Sequence, residues 1–392
     1  MSNLVGNGPL KGVRVIDLAG LPGAYGTMML AGLGADVVKV EPPGGDRIRR
    51  LGPFLDRVDV PENSLWWAYL GQGKRSVVID WTTTAGQAQL RELMTNADVV
   101  MDSAAYGTWE ALGLGPGQLA AENPSLVWVA ISPFGRSGPR RDWKGSDLIA
   151  WAGSGVLYTT GFVDRPPVAP AGPVQLACHL AAMNAAAGVL LALRARRIND
   201  GKGQLVDISM QECVLGIAPE TGAPVSLDDR VHRPRGGNRR DLTRPFGLYP
   251  CKDGYVSFLV LQPGHWQAMA RWIHEGTGND VFLDETFNDL AVRREVSDFV
   301  DEFVEALTMP ATKLELFREA QRRGVPCTPV NTIADLLEDP HLAATGFFQT
   351  ADHPKIGSYI RPGAPFRDNH GWWSLSRAPL LGEHTEEVLS GQ

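Results

Sequence analysis

Residues 12–41 read GVRVIDLAGLPGAYGTMMLAGLGADVVKVE. Gly12–Asp17 is a short β-branched run, the pattern of a buried strand. The glycine-rich turn Gly20-Leu-Pro-Gly-Ala-Tyr-Gly26 follows, then TMMLAGLG with helical character, then a second strand at Ala35–Val40. Strand, helix and strand within about 30 residues predict a βαβ unit and a parallel sheet. Working outward, Ser76–Ile79, Asp98–Met101 and Leu126–Ile131 repeat the strand pattern, with a helix at Gln87–Asn96. The first 130 residues or so therefore read as an open, Rossmann-like α/β sheet.

A Gly/Pro-rich stretch, Pro133–Pro173, precedes a long alanine-rich helix at about Leu176–Arg197 and a further strand at Gln204–Ser209. Composition shifts near Ser226, where DDRVHRPRGGNRRDLTRP reads as an exposed basic connection. A hairpin around Asp253–Gly254, several helices and a short strand at Val325–Val330 follow. The expected division is a large domain over 1–220, a smaller α+β domain over 221–329, and a C-terminal return over 330–392.

The 392 residues carry a net charge of −7, which argues against nucleic acid as the main partner. Cys178, Cys213, Cys251 and Cys327 are widely spaced, without a CxxC pair or a nearby histidine. That pattern predicts reduced thiols in a cytoplasmic protein, with no disulfide frame and no metal site. The N-terminus shows no apolar signal core, and the longest apolar run, Leu180–Leu193, is too short for a membrane span.

The Gly20–Gly26 turn stands where backbone N–H groups can meet phosphate, yet it is neither GxGxxG nor a P-loop. A plain βα turn fits it as well. Lys39 ends the second strand, Lys74-Arg75 is a compact basic pair, and Arg136, Arg140, Arg141 and Lys144 cluster around a Gly-Pro turn. Each reads either as a phosphate contact or as a solvated charge. Cys178-His179 opens the long helix, where a thiol pKa can be lowered. A buried structural cysteine is the alternative. Adjacent helical residues point about 100° apart, so sequence adjacency alone does not make a Cys–His pair.

In this order the fragments GADVVKVEPPGGD, GKRSVVID, ISPFGRSGPRRDWKGSDLIAWAGSG, GKGQLVDISMQE and RRGVPCTPVNTIADLLEDPHLAATGFF resemble the class III CoA-transferase family. That superfamily includes formyl-CoA and carnitine CoA-transferases and α-methylacyl-CoA racemase. The resemblance spans almost the whole chain. It implies a Rossmann-like large domain built from both chain ends, a smaller domain between, and two chains threaded as an interlocked dimer. It also implies CoA transfer between carboxylic acids, through an aspartate that forms an anhydride and then an enzyme–CoA thioester.

Registered on Gly188, Arg194 and Gln204, the family's aspartate falls on Cys178, and no Asp or Glu occurs between Asp164 and Asp200. The CoA-holding phrase E-N-F-R-P-G reads Asp102-Ser103-Ala104-Ala105-Tyr106-Gly107, and the arginine of L-E-R-L-G-L is Ala111. Asp147, Lys39, Glu41, Lys74 and Arg75 match family positions. The resemblance implies CoA or acyl-CoA as substrate, held by Gly20, Leu21, Pro22, Gly23, Tyr25, Lys39, Lys74, Arg75, Ser103 and Lys144, with Cys178 and Asp147 at the catalytic centre. Three readings follow. The first is an active transferase, with Cys178 as acyl acceptor or the aspartate elsewhere, working as a homodimer. The second is a non-catalytic or CoA-ester-binding subunit, paired with an Asp-bearing paralogue. The third and weakest is a racemase, since Ser146 stands where its histidine belongs.

Overall fold

The computed structural model describes residues 8–162, 164–168, 175–217, 237–239 and 242–391. Most of the basic connection at 228–245 thus lies outside the described residues. The chain divides into two units: Met1–Val156, Pro170–Gly222 and Ala344–Gln392 form one, and Leu157–Ala169 with Ala223–Ala343 form the other. In this division residues 221–222 fall in the first unit. Residues 330–343 stay with the second unit, and 157–169 join it.

In the first unit, β1 (Arg14–Leu18), α1 (Leu21–Gly32) and β2 (Asp36–Glu41) form the βαβ core. β1 starts two residues later than expected. Gly12 takes φ +86°, and Val13 N–H bonds the Leu10 carbonyl, so the chain is still turning there. α2 (Leu65–Leu70), β3 (Lys74–Val78), α3 (Thr84–Thr95), β4 (Val99–Asp102), the short α4 (Thr108–Ala111), α5 (Pro116–Glu122) and β5 (Val127–Ser132) follow. Then come α6 (Asp147–Gly153), α7 (Leu176–Ile198), β6 (Leu205–Ser209) and α8 (Met210–Gly216).

All neighbouring strands of the six-stranded sheet pair in parallel, in the order β3-β2-β1-β4-β5-β6. This is the doubly wound order, whose direction reverses between β1 and β4. On one face Ile16, Val38, Val100 and Trp128 pack with Leu90, Leu93 and Leu119 of α3 and α5. α1 and α7 lie together against the sheet, and glycines set how closely they approach. A Cβ on Gly26 would stand 2.3 Å from the Ala182 carbonyl oxygen of α7, and one on Gly188 3.0 Å from Val206 Cγ1 of β6. At 23 residues, α7 is long and apolar enough to cross a membrane, contrary to the sequence expectation. Its alanines 177, 181, 182, 185 and 186 are buried, as in a core helix.

The C-terminal segment returns to this unit. Pro379 accepts hydrogen bonds from Arg49 and from the Trp67 indole, and Arg361 donates to Gln72. The second unit has an antiparallel sheet of β7 (Phe246–Cys251), β8 (Gly254–Leu259) and β9 (Cys327–Pro329). Helices α9 (Pro263–Thr277), α10 (Leu290–Glu295), α11 (Ser297–Thr308) and α12 (Lys313–Arg323) accompany it. Its own core is aromatic, centred on Tyr249, Phe258, Trp266 and Phe282.

Candidate active site

The reversal between β1 and β4 opens a crevice at the carboxyl ends of the strands, the place where such sheets take ligands. Its two walls are the Gly20 turn after β1 and Ser103 after β4, tied by Gly20 N–H donating to Ser103 Oγ at 2.8 Å. Gly23 and Ala24 N–H groups both go to the Gly20 carbonyl, and Pro22 has none to give. Leu21 N–H is left as the open donor of that first turn among the described residues. Tyr25 is half-buried, and burial raises its phenol pKa.

The cations expected to face this crevice lie elsewhere. Lys39 and Lys74 are only 1 % and 2 % exposed. Lys39 Nζ reaches the Ala19 carbonyl at 2.6 Å and Asp46 at 2.8 Å, with Asp17 at 3.7 Å. Lys74 Nζ reaches Asp17 at 3.0 Å, Thr27 at 2.7 Å and the Ala24 carbonyl at 3.1 Å. Burial by itself would raise the Asp17 carboxyl, but Lys39 and then Lys74 hold it below its ordinary value. Burial opposes the charge on Lys39 as well, yet Asp17 and Asp46 outweigh it and raise that lysine's pKa. On Lys74 burial wins and the pKa falls, with Asp17 opposing the fall. A buried charge must be paired, and both ammonium groups have their partners inside the protein.

Arg75 stands at the opposite edge of the sheet. It pairs with Asp36, the first residue of β2, at 2.6 Å, and with Glu387 at 3.3 Å. Glu41 is likewise structural: Arg49 grips it at 2.7 and 2.9 Å, and both side chains are fully buried. Lys39, Lys74 and Arg75 therefore do not form a phosphate-binding set with the Gly20 turn.

Exposed positive charge borders the crevice from the loop after β5, where Arg141 also pairs with Asp142 at 3.4 Å. Arg140, Arg141 and Lys144 are exposed. Arg136 and Arg141 stack over the Tyr106 ring, at 5.0 and 4.8 Å, from the loop after β4. Arg140 lies over Trp143, itself 58 % exposed. Arg136 also pairs with Glu110. Sequence reading found the four cations but missed Tyr106, which joins them from some 30 residues away. Just below, the carboxyl of Asp102 is pushed up to about 6 by burial, although the Trp128 indole donates to it at 2.6 Å.

The α6–α7 junction forms the second part of the site. Gln175 does not cap α7 with its side chain. Instead the Asp147 carboxylate, on the first turn of α6, accepts from Cys178 N–H at 2.9 Å. The charge of the same carboxylate acts on the Cys178 thiol. Burial first, and the Asp147 charge second, push that thiol up to about 12. This corrects the expectation of a lowered pKa at a helix N-terminus: a buried thiol beside an anion stays protonated. His179 turns away from Cys178, stacked on Trp66 at 6.0 Å and edge-on to Tyr25 at 5.5 Å, with burial lowering its pKa. These rings join the Gly20 turn to α7.

Among the described residues no group of three or more His, Cys, Asp or Glu is placed to hold a metal ion. Cavities of about 170 Å³ beside Trp266 and about 260 Å³ beside Trp128 include neither Asp147 nor Cys178.

A model of CoA-transferase family III matches residues 10–385. The chain is 36% identical to succinyl-CoA:(R)-benzylsuccinate CoA-transferase subunit BbsE of Thauera aromatica, over 96% of this chain and 92% of that one. It is 32% identical to a succinyl-CoA–L-malate CoA-transferase alpha subunit of Chloroflexus aurantiacus, over 97% and 88%. A solved CAIB/BAIF family protein from Brucella suis superposes with a TM-score of 0.86 and 28% identity, over 98% of this chain and 99% of the other. The chain belongs to CoA-transferase family III.

Proposed function

We propose that this protein transfers coenzyme A between an acyl-CoA and a free carboxylic acid, with succinyl-CoA as the first donor to test. Family membership over residues 10–385 carries this reading. Relatives named for succinyl-CoA-dependent transfer to benzylsuccinate and malate supply the substrate class.

CoA lies with its thioester end at the Gly20–Tyr25 turn and Ser103, and with its phosphates toward Arg140, Arg141 and Lys144. The exposure of those cations and the stacking on Tyr106 support this placement. Arginine and lysine meet phosphate by charge-assisted hydrogen bonds, and an exposed cation gives up less to reach a ligand than a buried, paired one. Arg136 and Arg141 bring positive charge to the segment where the family phrases have arginines and this chain has Ala105 and Ala111.

The assembly is an interlocked dimer in the cytoplasm, formed with a second copy or with an Asp-bearing paralogue. Met183, Leu190, Leu191 and Ile198 leave one side of α7 apolar and exposed, which favours a partner chain. Two relatives are named as subunits, which favours the heteromeric form. The test is acyl-CoA analysis by mass spectrometry after incubating the protein with succinyl-CoA and a panel of dicarboxylic and aryl-substituted acids, alone and with a paralogue. New acyl-CoA in either arm is the expected result. Binding of CoA without transfer in both arms would overturn it.

A further inference from the structure

We infer that Asp147 is the nucleophilic carboxylate of this chain, supplied from α6 to the turn of α7 where Cys178 stands. The inference rests on the CoA-transfer reading above and names the group that performs it.

Three observations carry it. No Asp or Glu lies between Asp164 and Asp200, so α7 brings no carboxylate of its own to its first turn. Asp147 brings one from outside, its Oδ1 2.9 Å from the Cys178 backbone nitrogen. Its side chain is partly exposed, whereas Cys178 is 4 % exposed, so the carboxylate and not the thiol is open to a substrate. The thiol, buried beside that carboxylate, remains protonated, and only a thiolate is an effective nucleophile. The neighbouring titratable group on α7, His179, turns away toward Trp66 and Tyr25, and burial lowers its pKa. The positive end of a 23-residue helix lies against the carboxylate, suited to the oxyanion that forms when a thioester carbonyl is attacked.

The step balances without a redox partner. An Asp147 oxygen attacks the thioester carbonyl carbon, the C–S bond breaks, and CoA leaves as thiolate from a mixed anhydride. The thiolate attacks Asp147 Cγ, the anhydride C–O bond breaks, and the donor acid leaves as carboxylate, giving an enzyme–CoA thioester. The acceptor carboxylate attacks the same carbon and expels CoA thiolate. The thiolate then takes the acceptor's acyl group from the second anhydride and restores the Asp147 carboxylate.

Mapping of the intermediate tests this. The full-length protein is incubated with succinyl-CoA, quenched with hydroxylamine, digested and analysed by mass spectrometry. The expected result is a hydroxamate on the peptide bearing Asp147. It should be absent in Asp147→Asn, with transfer reduced at least a thousandfold and CoA affinity within about twofold of the parent. An adduct on Cys178 would overturn the inference. So would a wild-type chain that carries no adduct and transfers CoA only beside a paralogue, although the functional reading would then stand. Should Asp147→Asn fail to fold, mapping of the unmodified chain still decides.

Discussion

Two sets of cations flank the carboxyl half of the sheet, and they differ in what holds them. Lys39 and Lys74 lie beneath the β1 turn, 1 % and 2 % exposed, with Asp17, Asp46, Thr27 and two backbone carbonyls as partners. Arg140, Arg141 and Lys144 stand exposed on the loop after β5, the two arginines over aromatic faces. The first set matches family positions and looks like ligand chemistry in a linear sequence. In space it holds β1, β2, β3 and α1 to one buried carboxylate. A charged residue in a motif can therefore report the fold and leave the ligand to less regular loops.

The largest expected effect separates the sets by stability. Lys74→Met leaves Asp17 buried with one partner fewer, and losing a partner of a buried charge typically costs about 3–5 kcal/mol. Urea unfolding at pH 7 should show a loss of that size. The sign with pH follows from Asp17, whose folded pKa lies below its ordinary 3.8. Its contribution is present above that ordinary value and fades as pH falls through the folded one. The gap between the parent and Lys74→Met should accordingly narrow below about pH 4. A gap that stays constant would remove Asp17 from the account.

A smaller effect probes the helix contact that brings the Gly20 turn to the start of α7. Gly26→Ala puts a Cβ where the Ala182 carbonyl oxygen lies 2.3 Å away. Overpacking against backbone should cost about 1–3 kcal/mol in the same unfolding assay. An unchanged midpoint would mean that α1 and α7 are not locked together at this point.

Much of this was legible in the sequence. The GVRVID and ADVVKV runs specify parallel strands whatever their partners, because both faces of such a sheet are buried. Gly188 has a physical reason to be glycine: a Cβ there would stand 3.0 Å from Val206 Cγ1, where α7 crosses β6 closely. The burial of Lys39 and Lys74 was not legible. It depends on Asp17 lying within reach of both, and a sequence shows charges without showing which ones meet. Asp147 and Cys178 are 31 residues apart, and Tyr106 lies as far from Arg136 and Arg141. No local period links such pairs, since only the β4–β5 loops and the α6–α7 connection bring them together. The thiol's raised pKa follows from burial first and from the nearby Asp147 charge second, neither of which a linear sequence displays.

On the proposed placement the exposed loop, and not the Lys74–Arg75 pair, meets CoA. Titration calorimetry of CoA against Arg140→Glu/Lys144→Glu and against Arg75→Glu tests it most directly. At least a tenfold loss of affinity is expected for the first, about 1.4 kcal/mol or more, and less than a twofold change for Arg75→Glu. Loss of affinity in Arg75→Glu with the loop variant unaffected would contradict it.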